Sequence, residues 1–240
     1  MLLLPFVVGT VRGIEDAGFR PVTGVLGALW LVGYLAYFAG GLWLKSRRKA
    51  RYRRPMLTYG AIAAALGVVV LVLDPALVLW APAFLPFLAL GLWASAQRTE
   101  RSVAAGGAMT VAASLMTVVA YAACRFSGAP VLAVPMEVWL VAALLLAYLF
   151  GTVLYVKTMI RERGVRSYVV ASVAYHAAVT AAAGVLAVVH DPSWWWATAF
   201  LAAATARAAV LPGRPLSPKA VGIGEIVATV LLLAVALVVR

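Results

Sequence analysis

The stretch "KSRRKARYRRPMLTYGAIAAALGVVVLVLDP", Lys45 to Pro75, carries the two features that decide the fold. Its first ten residues hold seven lysines and arginines, whereas Leu57 to Leu73 holds no charge at all. An α-helix rises 1.5 Å per residue, so that uncharged run covers about 26 Å of a bilayer core about 30 Å thick. One such run also suits a buried helix in a soluble protein. This chain has eight: Val22–Leu44, Leu57–Leu73, Leu77–Ala96, Val103–Ala123, Met136–Val156, Tyr168–Val189, Trp194–Leu211 and Val221–Val239. A soluble core does not bury eight. A shorter apolar opening, Met1–Val11, runs into Arg12, Glu15 and Asp16 and covers only about 17 Å. The expected fold is all-α: a polytopic transmembrane helical bundle of about nine spans, the first truncated, in a single transmembrane domain over residues 1–240.

Composition agrees. The chain is 65% hydrophobic and 12% charged, with a mean hydropathy of +1.01. A net charge of +12 raises the question of nucleic acid. The basic residues answer it by their placement: 16 of the 20 lie in alternate loops between spans or at their edges. That is the positive-inside pattern, which puts those loops in the cytoplasm and the C-terminus outside. No nucleic acid partner is expected. The triple Trp194–Trp196 fits an outer interfacial belt. The single cysteine, Cys124, excludes an internal disulfide and a cysteine metal cluster, and two histidines leave little for zinc. Neither a metal nor a cofactor is expected.

The two halves of the chain echo each other. Gly67, Val68, Asp74 and Pro75 match Gly184, Val185, Asp191 and Pro192 at a constant offset of 117. "LAYFAG" from Leu35 matches "LAYLFG" from Leu146, and "RSVAAGGAMTVA" from Arg101 echoes "KAVGIGEIVATV" from Lys219. Three matches in one order suggest an internal repeat over about 22–123 and 136–239. Four helices per copy make the two repeats parallel. Substrate sites often lie between such halves.

"MLLLPFVVG" at Met1, "GTVLYVKTMIRERG" at Gly151, "SVAYH" at Ser172 and "LSPKAVGIGE" at Leu216 resemble the YwiC-like family of bacterial membrane proteins. The resemblance covers nearly the whole chain and implies a multi-pass protein of the bacterial inner membrane. Family members carry an "HGAW"-type motif just before the "MLLLPF" segment. This chain lacks it, so the native first helix is expected to begin about ten residues upstream, at the length a full span needs. A second, architectural resemblance is to the UbiA superfamily of prenyltransferases, which implies a prenyl diphosphate held by magnesium and Asp-rich motifs near loops 2–3 and 6–7. No aspartate lies on the basic side of this chain; its carboxylates there are Glu100, Glu162 and Glu225.

Several residues are candidates for chemistry. In "YVKTMIRERG", Lys157 and Arg161 are four apart and share a helix face, and Arg163 and Arg166 follow. With Tyr155 at its start and Glu162 to orient an arginine, this cluster suits phosphate or carboxylate. It equally suits anchoring to anionic lipid. Loop 2–3 reads as a headgroup patch or as the facing wall of an anion pocket. Ser172, His176 and Thr180 form a polar stripe inside a span. His176 there is either a proton relay or substrate ligand, or a packed neutral histidine. Glu225 follows a Ser217 cap and Pro218, where a carboxylate suits the helix dipole. Alternatively it pairs with Arg207 or Lys219 at a pocket floor. Tyr37 and Tyr148, equivalent in the repeat, line a cavity or simply pack.

The catalytic candidates are thus His176, Glu225 and Glu162, and the ligand-binding candidates Lys157, Arg161, Arg163, Arg207, Lys219 and Tyr155. The leading functional expectation is a membrane protein that binds an anionic lipid or isoprenoid of diphosphate-like chemistry at a basic cytoplasmic pocket, in the manner of a UbiA-like transferase. The alternatives are a small-anion transporter and a non-catalytic assembly subunit.

Overall fold

The structure, a computed structural model, describes residues 2–125 and 133–240. Met1, in the opening run, lies outside them. Among the described residues there are nine α-helices and no strand. The helices are α1 (Leu3–Ala17), α2 (Pro21–Lys45), α3 (Ala50–Leu73), α4 (Ala81–Ala96), α5 (Val103–Cys124), α6 (Met136–Ile160), α7 (Arg166–Val189), α8 (Trp194–Val210) and α9 (Pro218–Val238). Seven segments are long and apolar enough to cross a membrane, α4 counting with the turn before it. The other two, α1 and α8, have 15 and 17 residues, below and at the lower end of the roughly 17–25 of a crossing helix. The nine expected spans are therefore seven by length and composition, and two shorter helices. Outward-facing side chains are apolar, with Val72 75% and Val188 74% exposed, as a lipid solvent requires.

Boundaries follow local chemistry. Ser102 and Ser217 cap α5 and α9, their hydroxyls accepting from Ala105 N at 3.1 Å and Ala220 N at 3.2 Å. The run expected as one span over Leu77–Ala96 divides into a 3-10 turn, Pro75–Trp80, and α4. Pro82 has no N–H to donate to the carbonyl of Val78, which accepts instead from Ala81 N. Asp74 caps that turn through Ala76 N at 3.2 Å.

The described chain forms two compact units, Leu2–Ala142 and Ala143–Arg240, with α6 running from one into the other. In the first unit α1 lies against α5. A Cβ on Gly9 would stand 2.8 Å from the carbonyl carbon of Thr117, and one on Gly13 2.7 Å from Cys124 Cβ. Spaced by four, the two glycines make the small-residue face that lets helix backbones touch in a membrane. The Tyr121 hydroxyl donates to Asp16 Oδ2 at 2.6 Å, so α5 also holds the polar end of α1. Arg20 reaches inward and donates to Asp74 Oδ2 at 2.8 Å, to the Ala123 carbonyl at 3.2 Å and to the Arg125 carbonyl. Asp74 is only 2% exposed, so a half-buried arginine reaches in to a buried aspartate, both of them residues that sequence places in loops.

At the other end of α2, Lys45 pairs with Glu100 in the α4–α5 loop. The hydrogen bond from Lys45 holds the Glu100 carboxyl below its ordinary value of 4.5. A lowered carboxyl stabilises the folded state fully above 4.5, and that contribution is lost as the pH falls further, through the lowered value. Because the pair lies near the surface, Glu100→Gln is expected to cost less than about 1 kcal/mol at pH 7. The cost should vanish in strong acid, as unfolding midpoints taken across the pH range would show.

In the second unit α7 and α8 form an antiparallel pair joined at Asp191, whose carboxylate accepts from Ser193 N at 2.8 Å. Of the tryptophans expected in an interfacial belt, Trp195 and Trp196 are exposed. Trp194 is buried and donates from Nε1 to the Arg240 carbonyl at 3.0 Å. Consecutive helical residues point about 100° apart, so three in a row cannot share one surface.

Candidate functional site

The second unit brings three helices, α6, α8 and α9, around one ion pair. Glu225, two turns into α9, is 7% exposed. Its Oε1 accepts from Arg207 Nη1 at 2.5 Å. Its Oε2 accepts from the Tyr148 and Thr152 hydroxyls, each at 2.9 Å. Tyr148, Thr152 and Tyr155 stand at i, i+4 and i+7 on α6, one face of that helix. The Arg207 guanidinium lies 4.2 Å from the centroid of the Tyr155 ring. Arg207 is therefore fixed twice, through Nη1 by the carboxylate and across its plane by the phenol ring.

The other edge of Arg207 is different. Nε and Nη2 are both buried and have no hydrogen-bond partner. These two N–H groups point side by side, the fork that receives the paired oxygens of a carboxylate or phosphate. A buried donor left unmatched costs about 1–3 kcal/mol. An anion with two oxygens would satisfy both groups at once.

His176 is fixed more tightly. Its Nδ1 donates to the Ser172 carbonyl at 2.7 Å, which leaves Nε2 with a lone pair in the neutral ring. Nε2 has no partner, but it presses on α6: a Cβ on Gly151 would stand 2.8 Å from it. Space for a ligand is closed on that side. Further along α7 the polar stripe continues, and Thr180 Oγ1 meets Thr205 Oγ1 of α8 at 2.9 Å.

The rest of the basic motif lies at the end of α6 beyond Tyr155. Lys157 Nζ is 3.6 Å from Glu162 Oε1 and 5.3 Å from the Tyr168 ring centroid. Glu162 thus pairs with the lysine, whereas sequence offered it an arginine. Arg163 Nη2 donates to the Arg214 carbonyl at 2.5 Å. Arg161 and Lys219 are exposed. Of the two partners expected for Glu225, the structure joins it to Arg207. Sequence reading left Thr152 out; its only signal is the four-residue spacing from Tyr148.

The family model described as YwiC-like protein matches residues 1–121, half of the chain. The chain belongs to the YwiC-like family. It is 28% identical to the protein YwiC of Bacillus subtilis (strain 168) over 239 residues, which cover 98% of this chain and 92% of that one. No solved structure matches it. Family membership and the apolar helices fit a multi-pass bacterial membrane protein. The ion pair of this YwiC-like chain lies beyond the residues that the family model matches, in a part that the alignment to the Bacillus protein spans.

Proposed function

We propose that the second unit binds an anionic headgroup, a phosphate or carboxylate of a lipid or isoprenoid, at Arg207. One observation carries the reading: a guanidinium held by Glu225 and Tyr155 keeps its two-pronged edge buried without a partner. Lys157, Arg161, Arg163 and Lys219 would draw the anion to the end of the unit where α6 closes and α9 begins. By charge this is the cytoplasmic side. Glu225 keeps Arg207 oriented and offsets its charge, so an incoming anion is held chiefly by the geometry of the free fork.

A UbiA-like transferase is the enzymatic form of the same reading. Among the described residues no group of three or more His, Cys, Asp or Glu side chains is placed to hold a metal ion. The residues present do not fit the magnesium cluster of that superfamily. A small-anion pathway is the second reading, favoured by the polar stripe Ser172, His176 and Thr180 along α7, which Thr205 of α8 continues.

Native mass spectrometry of the protein in mild detergent tests the proposal. The wild type should carry a discrete anionic-lipid adduct. Arg207→Lys keeps the charge but loses the fork, and the adduct should fall about tenfold, the worth of one charge-assisted hydrogen bond. The variant Lys157→Ala/Arg161→Ala/Arg163→Ala should lose it too. One bulk phospholipid mixture on all three proteins would sink the proposal and send attention to anion flux.

A further inference from the structure

With an anion at Arg207, as proposed above, the groups around the pair decide which anion fits. A hydroxyl has one proton to donate. Those of Tyr148 and Thr152 are both committed to Glu225 Oε2, each at 2.9 Å. Arg207 commits Nη1 to Glu225 Oε1. His176 packs on the same face of α6, since Gly151, which lies against its Nε2, stands three residues past Tyr148 and four before Tyr155. The Nδ1 proton of His176 goes to the Ser172 carbonyl, so Nε2 offers a lone pair and no donor. Two buried N–H groups are left unmatched, Nε and Nη2 of Arg207. They match a head with two free oxygens: a carboxylate has two, a phosphodiester has two, and a phosphomonoester has three.

Charge points the same way. Arg207 and Glu225 cancel, and Glu225 is only 7% exposed. A singly charged head leaves one net negative charge at the pair. A doubly charged head leaves two, both facing a carboxylate on the same guanidinium, and a buried charge without a partner is costly. Lys157, the other sheltered cation, is already paired with Glu162. Arg163 donates to the Arg214 carbonyl. Arg161, Arg166, Arg214 and Lys219 are exposed, so they act through water and salt screens them. They draw in anions of any charge and distinguish little between them. We infer that the Arg207 site, if occupied as proposed above, takes a head with one negative charge on two oxygens, a carboxylate or phosphodiester. Glu225 is then a specificity-determining residue, which turns away phosphomonoester dianions and diphosphates.

The test titrates the full chain in dodecyl maltoside, by calorimetry at pH 9, with dodecyl methyl phosphate and with dodecyl phosphate. The two share a tail and differ by one methyl group, which holds the diester at one negative charge. The monoester carries two, since the second ionisation of a phosphate ester lies at about 6. The wild type should bind the diester about tenfold more tightly or better, the worth of one charge-assisted hydrogen bond. Dodecanoate, the other singly charged head, should also bind more tightly than the monoester, and the tighter of the two names the source. Glu225→Gln keeps a carbonyl to accept from Arg207 and removes the charge, so the preference for diester over monoester should fall about tenfold. Partitioning into the micelle is common to both proteins and cancels in that comparison. At pH 5 the monoester holds one proton, and its gap from the diester should close in the wild type. Equal binding of monoester and diester by the wild type at pH 9 overturns the inference, as does a preference that Glu225→Gln leaves unchanged. Diester binding kept by Glu225→Gln shows that the variant is folded; if it is lost, the wild-type comparison between pH 5 and pH 9 decides alone. Failure of the Arg207 site itself looks different: neither ligand binds the wild type, or Arg207→Lys binds both as the wild type does.

Discussion

Arg207→Leu is expected to destabilise the protein by about 3–5 kcal/mol, the usual cost of removing one partner from a buried ion pair. The loss comes less from the missing attraction than from what stays behind. Glu225 remains 7% exposed, within helices that face lipid, with only two hydroxyls to offset its charge. Adding Glu225→Gln removes that charge and keeps an acceptor for Tyr148 and Thr152. The double variant Arg207→Leu/Glu225→Gln should therefore regain about 2 kcal/mol over Arg207→Leu alone, a coupling typical of contacting residues. Unfolding midpoints in detergent measure both. Equal stability of single and double variants would show that the carboxylate is not stranded, and the account of the pair would fail.

Gly9→Ala should cost about 3 kcal/mol or more, at the upper end of overpacking effects. The added methyl would lie 2.8 Å from the carbonyl carbon of Thr117 and 2.9 Å from its Cα. These are backbone atoms, and no rotamer change moves them aside. The whole of α1 must lift from α5, and the hydrogen bond from Tyr121 to Asp16 is at risk with it. Gly33→Ala is the control, since its methyl meets nothing within 4 Å. It should be neutral or stabilising by up to about 1 kcal/mol. If both glycines tolerate alanine equally, the close approach of α1 and α5 is wrong.

What sequence made legible was whatever depends on neighbours along the chain. The long apolar runs became helices, and Ser217 and Pro218 opened α9 as their residue types demand. Glu225 was marked by being a carboxylate near a span, and the choice of partner was narrowed to two. Sequence distance could not decide between them: Lys219 is closer in the chain, but it turns outward while Arg207 comes from another helix. The break before α4 hinged on Pro82, which a hydropathy reading passes over because it has no charge. Arg20 read as loop punctuation, yet it is the donor to a buried aspartate 54 residues on. Gly9 and Gly13 were invisible as contacts, because the backbone they touch is more than a hundred residues away.

That last separation has a consequence for how the protein is made. The polypeptide leaves the ribosome at about 5–20 residues per second. The surface that receives Gly9 and Gly13 is therefore synthesised some 5–20 s after them. Throughout that interval α1 is a 15-residue helix with Arg12, Glu15 and Asp16 towards its end and no helix to dock on. Its final seating against α5 is therefore a late step of biogenesis. A helix made well before α5 is among the last of its unit to find its place.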